Sequence, residues 1–146
     1  MRLFGHPVHA MMVAFPIALF CLAPLCDLIA LVAAAPELAE AGRLCLIGGS
    51  ISSAPALVTG FVDFLRIEQR SPAMRTAIWH GALAFTAASL FATALALRGS
   101  GAPRGFPLAL ELLGAGLIGA VGWLGGHLVF HHGVGVRRDP APRVDR

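Results

Sequence analysis

The chain has 146 residues, enough for one domain, and 57% of them are apolar while only 13% are charged. So much apolar surface excludes disordered and fibrous classes. A net charge of +3, with arginines scattered between apolar runs, excludes a soluble nucleic-acid binder.

A helix needs about 20 predominantly apolar residues to cross a bilayer. Four stretches meet that length, at about residues 9–34, 43–65, 76–97 and 106–130. The first carries Asp27, the second has no charge between Arg43 and Asp63, the third has none, and the fourth has Glu111 near its start. Lipid forces backbone hydrogen bonds to close within a segment, so these are helices. A barrel would need alternating polar positions, which are missing. Ala35-Pro36-Glu37, Ser71-Pro72 and the Gly/Pro loop at 98–105 punctuate the spans. Pro16, Pro24 and Pro55 lie inside spans, where each is expected to loosen or kink its helix. The first run is longer than the roughly 7–15 residues of a signal-peptide core and reads as a span. No internal repeat is evident. The fold class expected is all-α: a polytopic membrane protein, an antiparallel four-transmembrane-helix bundle. The polar chain from Gly133 onward has two prolines and reads as disordered. The transmembrane domain is drawn at 1–136 and the disordered cytoplasmic tail at 137–146.

An even number of spans puts both termini on one side. That side holds Arg2, Arg66, Arg70, Arg75, Arg137, Arg138, Arg143 and Arg146, against Arg43, Arg98 and Arg104 opposite. The imbalance predicts a multi-pass protein of the bacterial inner membrane with cytoplasmic termini. Cys21, Cys26 and Cys45 have no metal-motif spacing and read as small packing residues, with a Cys26–Cys45 bridge left open.

The histidines carry the chemistry. His6 and His9 open span one, His80 lies just inside span three, and His127, His131 and His132 close span four. In an antiparallel bundle all six gather at the end where Asp63 closes span two. Interfacial packing of half-apolar rings is the plain reading. Depth favours a site: His80 and His127 lie about one turn inside their spans, where polar groups turn to the bundle interior. His127 and His131 share a face, and His132 is about 100° off it. The metal-ligand candidates are His6, His9, His80, His127 and His131. Asp63 and Arg66, three apart, read either as an interfacial ion pair or as a carboxylate orienting an imidazole. Asp27 and Glu111 lie at the far end and are assigned no role. In the glycine-crowded fourth span, Gly122 and Gly126 are read as helix-packing positions that also leave room for a flat cofactor beside His127.

Gly5-His6-Pro7-Val8-His9 with Phe15-Pro16-Ile17-Ala18-Leu19, then the block at 59–67 and the block at 125–136, resemble three stretches of a family of bacterial membrane proteins, domain of unknown function 2231 (DUF2231). The resemblance covers about residues 4–136. It implies four spans, and its histidine blocks fall on His6, His9, His127 and one of His131 and His132. Some relatives are joined to Rieske-type or cytochrome domains, which implies redox chemistry. Phe130 stands where a Tyr is more usual and removes a phenolic hydrogen bond.

Three functions compete. The first is b-type haem electron transfer, with His80 and His127 as the axial pair, His9 in reserve, and Gly122 and Gly126 beside the cofactor. The second is a copper, zinc or iron ion held by several imidazoles without porphyrin. The third is a structural or partner-binding subunit with no cofactor. None requires the protein to be an enzyme by itself. The expected partners are the lipid bilayer, a redox protein or other membrane subunit, and a second copy through the glycine-rich fourth helix; nucleic acid is not among them. No hydrolase, zinc-protease or phosphate-loop motif is present.

Overall fold

Prolines set where the helices begin and break. Pro7 is extended and lets the first helix, α1 (Val8–Met12), start behind it. The ring of Pro16 excludes the Met12 carbonyl from normal helix bonding, which separates α1 from α2 (Ala14–Ala33), but Val13 between them keeps helical angles of φ −64° and ψ −23°, so the helical path continues. Pro36 occupies the first turn of α3 (Pro36–Phe64), with Glu37 facing the positive helix end. Ser71 caps α4 (Pro72–Gly99) by accepting from the Met74 amide at 3.2 Å. α5 (Gly105–Phe130) completes the set. The structure, a computed structural model, describes residues 2–3 and 6–136. Near its start Arg2–Leu3 (β1) pairs antiparallel with His6–Pro7 (β2).

Four helical spans, Val8–Ala33, Pro36–Phe64, Pro72–Gly99 and Gly105–Phe130, are long and apolar enough to cross a membrane. The second starts earlier than hydropathy alone suggests. Its first two turns carry Glu37, Glu40 and Arg43, and an exposed Glu40–Arg43 pair at 2.6 Å stays on one helix face. The chain after α5 also departs from expectation. Gly133 takes φ 66°, its amide meets the Val129 carbonyl at 3.1 Å, and the Val134 amide meets that of Leu128 at 2.9 Å. Residues 133–136 are thus an ordered helix cap. The tail at 137–146 lies outside the described residues.

α2 packs along α3 and α4 along α5; α3 also meets α4, and α2 meets α5. At the centre the rings of Phe20 and Phe91 stack at 4.1 Å, 3° from parallel. Each ring rests on a glycine of the next helix. A Cβ on Gly49 would lie 2.6 Å from Phe20, and one on Gly114 would lie 2.7 Å from Phe91. Leu46 and Ala23 fill the space around the stack. The outer surface is apolar, with Ile51, Phe85 and Trp123 exposed, as suits helices whose solvent is lipid.

Candidate functional site

The two helix pairs, α2 with α3 and α4 with α5, carry matching residues at matching positions. A constant offset of 71 carries His9 onto His80, Phe20 onto Phe91 and Asp27 onto Arg98. An offset of 65 carries Gly49 onto Gly114, Ala56 onto Val121 and Gly60 onto Gly125. Several buried positions keep the same offsets: Pro16 and Ala87, Ala23 and Ala94, Gly42 and Pro107, Leu46 and Glu111. Eleven residues separate His9 from Phe20, and seven separate Phe20 from Asp27. Both steps return to the same helix face within about 20°. Each half therefore presents one stripe: imidazole, phenyl, charge. The stripes meet, since Phe20 stacks on Phe91 and Asp27 pairs with Arg98.

At the histidine end the two halves bond alike. His9 Nδ1 donates to the Ala56 carbonyl at 2.9 Å, and His80 Nδ1 donates to the Val121 carbonyl at 3.0 Å. A carbonyl only accepts, so Nδ1 carries the proton in both rings and Nε2 keeps its lone pair. The rings lie against glycines one turn further on. A Cβ on Gly60 would meet His9 Cε1 at 2.7 Å, and one on Gly125 would meet His80 Cε1 at 3.1 Å. Both imidazoles are half-buried and lie within electrostatic reach of each other.

The remaining histidines stand elsewhere. His127 is two residues beyond Gly125, hence about 200° further round α5, and is exposed. Its ring stacks on His131 at 4.5 Å and meets His132 edge-on at 4.9 Å. His132 completes this outer triplet because the helix ends at Phe130, after which 100° steps no longer apply; its amide turns back to the His127 carbonyl at 3.2 Å. Its Nε2 is 3.4 Å from Thr76 Oγ1. Partial desolvation, then the neighbouring His131 and His127, hold the His132 imidazole below the ordinary histidine range. His127 and His132 line an open groove of about 860 Å³ with Arg70, Arg75, Thr76 and Trp79. His6 is exposed on β2. Asp63 meets Arg66 at 4.0 Å. Gly122 and Gly126 have nothing within 4 Å of a built Cβ, so the small residues that seat rings are Gly60 and Gly125.

At the opposite end lies a group the sequence reading left without a role. Arg98, from the last turn of α4, reaches Asp27 of α2 and Glu111 of α5. Its Nε and Nη2 donate to Glu111 Oε1 at 3.1 and 2.8 Å, and its Nη1 donates to the Ala39 carbonyl of α3 at 3.3 Å. Glu111 is fully buried. Gly42 gives Asp27 its place, since a Cβ there would lie 2.8 Å from Asp27 Oδ1. The signal available in the sequence was the set itself: two carboxylates and one arginine inside apolar spans at the same depth. All three cysteines are free, with Cys26 and Cys45 in contact beside this group.

Among the described residues no group of three or more His, Cys, Asp or Glu side chains is placed to hold a metal ion. The donor set at the histidine end is a pair of imidazoles, one from each half. No curated protein and no solved structure matches the chain. The family described as predicted membrane protein (DUF2231) matches residues 5–138, and the chain belongs to it.

Proposed function

We propose that His9 and His80 would together hold a haem b, making the protein an electron-transfer component of the bacterial inner membrane. The observation that carries this reading is the matched bonding of the two rings. Ligand imidazoles usually donate their second nitrogen to a carbonyl or carboxylate, which fixes ring and tautomer. His9 and His80 do so from equivalent places in two halves. Two imidazoles suffice for a porphyrin iron, whereas copper or zinc without porphyrin calls for three or four ligands. This puts His9 in place of His127 in the expected ligand pair. The cofactor would supply one-electron transfer; the chain's residues hold, orient and desolvate it. In this reading the spans run alternately up and down, both termini are cytoplasmic, and a redox protein or membrane subunit is the partner. A second copy docked on the open Gly122 and Gly126 face of α5 is a further expected contact.

The second reading is a subunit without cofactor, favoured by the same bonds taken as pins: His9 ties α1 to α3 and His80 ties α4 to α5. Absorption spectra of the purified protein, oxidised and reduced, separate the two when paired with elemental analysis. A Soret band lost in His9→Ala and in His80→Ala, yet retained in His127→Ala, is the expected result. Stoichiometric metal without that band selects a non-haem ion instead. Neither band nor metal selects the pins.

A further inference from the structure

We propose that the buried group of Asp27, Arg98 and Glu111 is a proton-binding site, with the exchangeable proton on Glu111 Oε2. One guanidinium faces two carboxylates, so the group carries an excess negative charge when all three are ionised. Arg98 stays charged, because guanidinium does not deprotonate in proteins. The surroundings are poorly suited to a net anion. Arg98 and Asp27 side chains are 14% and 13% exposed, and Glu111 is 0% exposed. Glu111 Oε1 takes two donors from Arg98, whereas Oε2 is buried with no hydrogen-bond partner among the described residues. An ionised oxygen without a donor in a low dielectric is the costliest arrangement available to a carboxyl group. One proton on Oε2 removes the excess charge and leaves the Asp27–Arg98 ion pair balanced.

Among the described residues Arg98 is the cation paired with Glu111, and Arg104 at the start of α5 is exposed. α4 gives Arg98 and α2 gives Asp27 with Cys26 next to it. α3 gives the Ala39 carbonyl and Cys45, while its Arg43 is exposed and paired with Glu40. Ionisable residues inside membrane spans commonly mark proton relays. Here the equivalent position in the first half is Leu46, equally buried. The proton-carrying group is thus particular to the second hairpin. Uptake forms one O–H bond with a proton drawn from water at that end of the bundle; nothing is oxidised or reduced.

Infrared spectroscopy of the full chain in lipid nanodiscs tests this. At neutral pH a protonated-carboxyl C=O band is expected, shifted in heavy water and absent from Glu111→Gln. Thermal unfolding provides the second reading. Glu111→Gln keeps shape and neutrality and should melt with the parent, whereas Asp27→Asn leaves Arg98 only Glu111, which must ionise with its buried Oε2 unpaired, and should melt lower. A parent lacking the band, a band that survives Glu111→Gln, or a Glu111→Gln chain that melts as low as Asp27→Asn would each overturn the proposal.

Discussion

Three imidazoles in ring contact at the end of α5 make that end sensitive to acid. The folded-state pKa of His132 lies below its unfolded value of about 6.5. Between the two, the unfolded chain binds more protons than the folded one, so stability rises with pH. This contribution is complete above about pH 6.5 and is lost as pH falls through the folded value. Thermal unfolding in detergent across that window should show the slope, and His132→Asn should flatten it. An unchanged slope in the variant would remove His132 from the account. Placing His132 away from the His127 face assumed that helical steps continue past Phe130; they stop there. The role of Asp27 and Glu111 is hidden in the sequence for a different reason. Distance from the histidines says nothing of the charges at their own depth, where Arg98 joins them.

At the scale of helices, most of the fold is legible in the amino-acid order. Long apolar runs, their punctuating prolines and the Ser71 cap place all four spans, because lipid leaves the backbone few alternatives. The contacts between helices are harder to read. A Gly-x-x-x-Gly pattern singles out Gly122 and Gly126, both open in the structure, while Gly49 and Gly114 seat the central rings. Spacing along one helix cannot show which large side chain arrives from its neighbour. Gly49→Ala and Gly114→Ala should therefore each lose about 1–3 kcal/mol by overpacking against Phe20 or Phe91. Gly122→Ala should lose nothing, since Ala is the better helix former by about 1 kcal/mol. Unfolding midpoints for the three variants, measured side by side, decide the matter. A loss in Gly122→Ala that depends on protein concentration would point to a second copy on that face.

For the whole molecule, the excess of arginine on the terminal side predicts cytoplasmic termini. Reporter fusions at Ser100 and within the tail should report opposite sides, with the tail cytoplasmic; a periplasmic tail would reverse the bundle without altering its span count. The correspondence between the halves is hard to see in the sequence because a few positions carry it: His9 and His80, Phe20 and Phe91, Gly49 and Gly114, Gly60 and Gly125. Between them, apolar residues interchange freely at equal burial, so Pro16 corresponds to Ala87 with little left to compare.

The two hairpins differ in sign at the place where Asp27 meets Arg98. A first hairpin pairing with another copy of itself would set Asp27 against Asp27, two like charges in a poorly conducting medium with no cation between them. The second hairpin brings Arg98 to that place. Repulsion from the wrong partner and attraction to the right one then act through one position. As the chain is made, the first hairpin reaches the membrane carrying a charge that another copy of itself cannot neutralise. The hairpin that follows on the same chain brings the opposite charge, so the pair Asp27 and Arg98 favours the partner within the chain.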